Sequence, residues 1–302
     1  MNKNTQSLYV PPLGLRLLLI LCALTVVSQL YVPLPILPQL AHTLHVTTGA
    51  ATGVISAFGL AYAVGFLIFG PLSDRLGRRR VMVWGLFALA LISSVIAWTD
   101  SAPLLMAGRA LQGLAAAAFP PVVIAYLAEC GTVRQRTWGV AWVSTAFLSA
   151  GLLGQIYGGT VANRWGLGMA MLPLALIYVC TATALLMTSA DRHQSSAQSA
   201  WFSGYRSLGR LLSDVQLRRV YASALLLLMC FVVFYLALDT HAGTALRTHG
   251  ITPLMVRGIA LPAFLAPLVV ASVISRFGAQ CMVTVGLSMA CVGLVSVRLG
   301  GC

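Results

Sequence analysis

The sequence predicts an all-α protein whose helices cross a membrane many times, and three observations carry that fold class. Of its 302 residues, 59% are hydrophobic and 8% are charged, against about 25% charged residues in a soluble domain. Its mean hydropathy is +0.90. The apolar residues are gathered into segments of about 20, the length that a helix rising about 1.5 Å per residue needs to cross a hydrocarbon core.

Nine such segments are predicted, at residues 15–37, 49–71, 81–98, 103–127, 138–160, 167–188, 219–239, 252–274 and 281–297. The first follows "MNKNTQSLYVPPLGLR"; its apolar run is too long for a signal peptide and no small-residue cleavage site follows it, so it is taken as a span. It closes on "YVPLPILPQL", and the eighth contains "GIALPAFLAPLVV". Such proline-rich stretches break a soluble helix but are tolerated in a membrane bundle, where neighbouring helices satisfy the freed backbone groups. The second and third spans flank the charged stretch "FGPLSDRLGRRRV". The fourth carries Arg109 and Gln112, the first Gln29, and the fifth Gln155 and Tyr157, all able to donate or accept hydrogen bonds inside otherwise apolar helices. The "GQIYG" spacing around Gln155 also suits plain helix packing through small residues.

Eighteen arginines and one lysine stand against five aspartates and one glutamate, a formal net charge of +13. The basic residues lie in short clusters between spans instead of on one stripe, which argues against nucleic acid as a partner. With the N-terminus cytoplasmic, the inside segments hold fourteen basic residues, including Arg16, Arg75, Arg78, Arg79, Arg80, Arg134 and Arg136, and the outside loops hold only Arg164 and Arg247. The positive-inside rule therefore predicts this topology. The polar stretch 189–217 separates six spans from the remainder, and Trp201, Tyr205, Leu208, Leu212 and Val215 recur there at helical spacing opposite Arg206 and Arg210. It is either an amphipathic helix on an anionic inner leaflet or an ordinary connector. Five of the seven cysteines sit in apolar runs and behave as small hydrophobes. The histidines and cysteines have no metal-ligand spacing, and the scattered acids form no catalytic constellation. No enzyme activity, cofactor or metal is expected.

The charged stretch has a specific pattern. Gly70 and Gly77 bracket Asp74 and Arg75 in a loop between the second and third spans, with Arg78, Arg79 and Arg80 following. The arginines alone would serve as topology anchors, but an acid set between two glycines that permit tight turns is more than an anchor needs. Sliding the sequence by 201 residues places Arg75 over Arg276, Gly77 over Gly278 and Gly85-Leu86 over Gly286-Leu287. The second half thus repeats the first in weaker form.

These residues resemble the G-x-x-x-D-R-x-G-R-R loop of the major facilitator superfamily of two-bundle secondary transporters. "RALQGLAAA" from Arg109 looks like the family's fourth-span motif, "PILP" at 35–38 resembles the close of the first span in the drug/proton antiporter branch, and "GQIYGG" resembles that branch's fifth-span signature with Gln155 in place of proline. The resemblance implies a complete N-terminal six-helix bundle over 1–188, a cytoplasmic central loop over 189–217 and about three helices of a C-terminal bundle over 218–302, a C-terminally truncated member. It implies a multi-pass protein of a bacterial inner membrane that exports a small molecule, with proton coupling as an option. In the family's terms Asp74 and Arg78 belong to a charge relay with an acid at the inner end of the fourth span, where Glu129 stands; Glu129 is equally placed to pair with Arg134 or Arg136. Arg109 falls on the position linked to proton coupling. An arginine within a span costs roughly 2.5–3.5 kcal/mol, so Arg109 either meets a partner or cavity, or snorkels to the interface. No carboxylate lies deep in any of the nine spans, so either the acid that proton coupling needs belongs to further spans of the second bundle, or Arg109 meets an anionic solute directly. The alternative is a truncated, transport-inactive product.

Overall fold

The computed structural model describes residues 10–99, 101–188 and 261–299, with short pieces between 213 and 226. The described residues are almost entirely helical. The first span is a bent rod: α1 (Leu13–Tyr31), a 3₁₀ turn (Leu34–Ile36) and α2 (Leu37–Thr43). The bend falls where Pro33, Pro35 and Pro38 remove backbone donors from the helical ladder. The second span, α3 (Thr48–Leu76), starts on Thr47, whose hydroxyl accepts from the Ala50 N–H at 3.2 Å. It runs on through Asp74 and Arg75 and stops only at Gly77.

The third span is α4 (Arg78–Ile96). The fourth is broken into α5 (Ala102–Ala116) and α6 (Pro120–Glu129). Pro120 and Pro121 have no N–H, and the chain tightens ahead of them through Ala118 N–H to Ala115 O and Phe119 N–H to Ala116 O, both 3.2 Å. The fifth span, α7 (Val133–Tyr157), opens on a reciprocal Thr132–Gln135 capping box and passes through a π turn (Gly158–Ala162) into α8 (Asn163–Met187). A 3₁₀ turn (Leu261–Leu265) leads into α9 (Ala266–Leu299), which lies against α7. The six spans predicted over 15–188 are all present. The break in α9 at Gly278 falls between the predicted eighth and ninth spans. The amphipathic stretch over 201–212 and most of the span at 219–239 lie outside the described residues.

One expectation is corrected here. The charged stretch is not a loop: Gly70, Asp74 and Arg75 are helical, and only Gly77, with φ 92° and ψ 131°, separates α3 from α4. Gly70 has no positive φ, and no neighbour lies within 4 Å of where its Cβ would be. Gly77 has the backbone reason that Gly70 lacks.

The same break occurs twice more. Gly166 divides the start of α8 from its body at φ 82° and ψ 163°, and Gly278 interrupts α9 at φ 76° and ψ 160°. Each follows an Arg-x pair: Arg75-Leu76, Arg164-Trp165 and Arg276-Phe277. The register extends further upstream at the second, since "GPLSDRLG" at 70–77 and "GTVANRWG" at 159–166 share Gly-x-x-x-(Asp/Asn)-Arg-x-Gly. A side chain at positive φ costs about 1–2 kcal/mol. Gly77→Ala is therefore expected to lower stability by about that amount although its Cβ would meet open space; thermal unfolding in detergent measures it, and an unchanged midpoint would count against the turn's geometry.

Three helix pairs make the bundle: α1 beside α7 and α3 beside α5, each parallel, and α4 beside α8, antiparallel. Small residues let their backbones meet. A Cβ on Gly113 would strike the Phe58 carbonyl, and one on Gly158 would strike that of Val32. Polarity is inverted relative to a soluble bundle. Leu60, Trp84, Leu91, Trp98, Leu104, Trp165 and Leu176 are exposed, whereas Gln29, Ser93, Arg109 and Gln112 are fully buried. Such a surface belongs against lipid.

Candidate functional site

Arg109 lies seven residues into α5, about 10 Å along the helix, and is fully buried. Snorkelling is thereby overturned: its guanidinium reaches neighbouring helices, not the interface. Nη2 donates to the Gln29 carbonyl of α1 at 2.8 Å, Nε to the Val54 carbonyl of α3 at 3.4 Å, and Nη1 to Gln112 Oε1 at 2.6 Å. Its Cζ sits 4.4 Å from the centroid of the Phe58 ring, a cation–π contact. The Gln29 carbonyl is available for a reason written in the sequence. Its helical partner four residues on would be Pro33, which has no N–H to offer. A proline on one helix frees the acceptor that an arginine on another fills.

The network continues from Gln112. Its Nε2 donates to Ser93 Oγ of α4 at 2.7 Å and lies 3.8 Å from Met171 Sδ of α8. Gln29 Nε2 donates to Tyr178 Oη of α8 at 2.8 Å and reaches Ser93 Oγ at 3.4 Å; the Tyr178 hydroxyl in turn donates to the Thr25 carbonyl at 3.0 Å. Helices α1, α3, α4, α5 and α8 are thus tied through one positive charge. Gln29 Oε1 is buried with no partner among the described residues. An unfilled buried acceptor costs about 1–3 kcal/mol, which makes Gln29 Oε1 the one acceptor of this network, among the described residues, left for a further donor.

Gln29, Arg109 and Gln112 therefore come together as predicted candidates. Gln155 and Tyr157 do not join them: Gln155 Nε2 bonds back to the Gly151 carbonyl at 2.9 Å, and the Tyr157 hydroxyl donates to the Ala170 carbonyl at 2.8 Å, pinning the end of α7 to α8. Ser93, Thr25, Tyr178 and Phe58 were not singled out from sequence. Hydroxyl and aromatic side chains are common in spans, and only the helix pairing shows which of them meet.

The second cluster sits at the arginine-rich end. Arg78 stands between two acids, with Nη1 at 2.8 Å from Glu129 Oε1 and Nη2 at 3.4 Å from Asp74 Oδ1. Glu129 thus pairs with Arg78; Arg136 instead donates from Nε to the Gly131 carbonyl at 2.9 Å. Arg79 Nη2 donates to the Leu186 carbonyl at 2.7 Å. Three arginines in the first turn of α4 would be repelled by the positive end of its helix dipole. Two of them are satisfied by the C-terminal ends of α6 and α8, which carry the opposite partial charge. The side chains of Asp74 and Glu129 remain 66% and 40% exposed, which leaves both acids a face toward an approaching element.

An apolar-surfaced helical bundle with a buried arginine at its centre and an ion-paired junction at one end defines a multi-pass helical membrane protein. The family model of the Major Facilitator Superfamily matches residues 19–299, and the chain belongs to that family. It is 25% identical over 188 residues to Multidrug resistance protein 2 of Bacillus subtilis, covering 60% of this chain and 47% of that protein. It is 37% identical over 103 residues to Multidrug resistance protein D of Escherichia coli, covering 33% and 26%, and 29% identical over 195 residues to the inner membrane transport protein YajR of the same species, covering 63% and 42%. The matched region spans less than half the length of each of these relatives. The human organic anion transporter MFSD10 superposes with a TM-score of 0.54 over 87% of this chain and 71% of its own at 18% identity, a likeness of fold alone.

Proposed function

We propose that the chain exports a small molecule, a drug or a metabolite, by alternating access, with proton movement coupled to the cycle. The supporting observation is Arg109: a fully buried charge with no acid in its network among the described residues, held by two carbonyls, one amide and a ring. A span tolerates such a residue at high cost, and function is its default explanation. In this reading Arg109, Gln112 and Gln29 form the coupling centre, with Gln155 and Tyr157 beside the solute path. Gly70, Asp74, Arg75, Gly77, Arg78 and Glu129 form the latch that a second bundle closes against. The latch end faces the cytoplasm of a bacterial inner membrane, where its arginines meet anionic lipid headgroups. Residues 1–188 make one bundle, 189–217 the central loop, and 218–302 part of the second bundle.

Proteoliposomes carrying the full chain, loaded with a pH-sensitive dye and challenged with lipophilic drugs, test this. Solute-driven pH change supports coupled export. Flux without pH change removes the coupling, and absence of both favours the inactive-chain alternative.

The latch makes a separate prediction. Exposed ion pairs contribute up to about 1 kcal/mol each, enough to shift a two-state population about fivefold. Glu129→Gln takes the negative charge from the 2.8 Å contact and Asp74→Asn from the 3.4 Å one. Cysteine crosslinking across the arginine-rich end is expected to show looser closure in both, more so in Glu129→Gln. Equal closure in the parent and both variants would sink the latch.

A further inference from the structure

Three aromatic rings leave Arg109 in single file along α3. Phe58 lies under the guanidinium. Tyr62 stacks on Phe58 at 5.6 Å between centroids, and Phe66 meets Tyr62 edge to face at 4.8 Å. Spacing of four residues places all three on one side of the helix. Exposure rises along the row: Phe58 is fully buried, Tyr62 half-buried, and Phe66 38% exposed. The purely aliphatic exposed stripe of the same helix, Leu60, Val64 and Leu67, points roughly the opposite way. The aromatic row therefore opens on a different surface from the one that suits lipid. The end of α1 that carries Tyr31 approaches α3 here, with Leu30 Cδ1 3.8 Å from where a Cβ on Gly59 would stand. Gly151 of α7 faces the half-buried Tyr31 ring, and a Cβ there would stand 3.6–3.8 Å from it. Among the described residues neither the Tyr31 nor the Tyr62 hydroxyl has a hydrogen-bond partner.

We infer that the open end of this row, Tyr62 and Phe66 with Tyr31 beside them, is a solute subsite for planar aromatic anions. The inference rests on the export reading above and names its substrate class. Stacking surfaces select a flat ring. The two hydroxyls are donors suited to a carboxylate or phenolate oxygen. Charge complementarity fixes the sign. Arg109 stands at the buried end of the row, and Arg75, Arg78, Arg79 and Arg80 stand at the end of the helix beyond Phe66. Among the described residues the acids at that end are Asp74 and Glu129, and both are engaged by Arg78. A row set between positive charges inside a low-dielectric bundle repels a cationic ring and attracts an anionic one. The Arg109–Phe58 contact also gives the occupant a way to act on the buried network, because a ring pressed on Phe66 is continuous with the ring under the guanidinium.

Equilibrium binding to the full chain in neutral phosphatidylcholine nanodiscs tests the subsite independently of transport. The probes are 2-naphthoate and its cationic match, naphthalen-2-ylmethylammonium. Naphthoate is expected to bind about tenfold more tightly than the cation, and Phe66→Leu and Tyr62→Leu each to weaken it about tenfold. Tyr62→Phe, which keeps the ring, should lose less, and Leu60→Ala on the aliphatic stripe should bind as the parent does. Equal or tighter binding of the cation, no binding of either probe, or naphthoate binding indifferent to Phe66→Leu would overturn the proposal. Binding without flux in proteoliposomes would leave the subsite standing and strike the export reading instead. Flux of an aromatic anion unaffected by Phe66→Leu would strike the subsite alone.

Discussion

Gly113→Ala is expected to destabilise the bundle more than alanine at the other glycines of α3, α5 and α7 whose Cβ would meet only side chains. The added Cβ would fall on the carbonyl of Phe58, and a helix backbone cannot swing aside as a side chain can. Overpacking costs about 1–3 kcal/mol where side chains repack, and a backbone collision belongs at the upper end of that range. The damage would spread along α3, because Phe58 lies under the Arg109 guanidinium and Val54, one turn away, accepts from its Nε. Two substitutions calibrate the measurement. Gly53→Ala would meet only the mobile tip of Met106, and Gly151→Ala only the Tyr31 ring at ordinary contact distance; both are expected within about 0.5 kcal/mol of the parent. Thermal midpoints in detergent that fall equally for Gly113→Ala and Gly151→Ala would show that α3 and α5 do not meet so closely.

Legibility in the sequence followed how conspicuous each signal was against an apolar background. A single arginine or glutamine in a span stands out, so Arg109, Gln112 and Gln29 were visible as candidates. Their partners were not. The Val54 carbonyl has no sequence signature, and Ser93 and Tyr178 look like many hydroxyls that bond within their own helix, as Ser94 does to Ala90 O. The charged stretch reads as a loop because charge suggests the end of a membrane crossing, whereas the structure keeps it helical to Leu76. A helix can continue past the hydrocarbon, and "PLSDRL" contains nothing after Pro71 that stops it before Gly77.

The repeat was seen only in part for a similar reason. An offset of 201 residues pairs corresponding turns in two halves, and Gly278 adopts the same left-handed break as Gly77. The closer echo ending at Gly166 escapes a search at that offset. Its backbone conformation exposes it first, and the shared Gly-x-x-x-(Asp/Asn)-Arg-x-Gly register then follows from the residues. Asn163 replaces the acid there, so the two turns share a shape but not a charge. The turn at Gly166 instead holds to the bend of the first span through its backbone, with Gln39 donating to the Asn163 carbonyl at 3.4 Å.

Arg109 offers the most discriminating experiment, because one of its bonds is coupled to a proline on another helix. Arg109→Ala would strand the Gln29 carbonyl, the Val54 carbonyl's extra contact and Gln112 Oε1, at about 1–3 kcal/mol for an acceptor left truly unpaired. It would also leave a cavity under Phe58. Solute-driven flux is expected to vanish. Arg109→Lys keeps the charge but has a single ammonium in place of a planar fork, so it should recover at most part of the stability and little of the flux. The Gln29 carbonyl separates this mechanism from a generic loss of packing. Pro33 already has helical backbone angles, φ −73° and ψ −18°, so Pro33→Ala would present an N–H to that carbonyl without rearranging the chain. In the parent this new donor competes with Arg109 Nη2; in Arg109→Ala it replaces it. The double variant is therefore expected to be more stable than the two single changes predict by addition, with a coupling of about 0.5–3 kcal/mol. Strict additivity in thermal or denaturant unfolding would show that the arginine does not serve the acceptor that the proline frees.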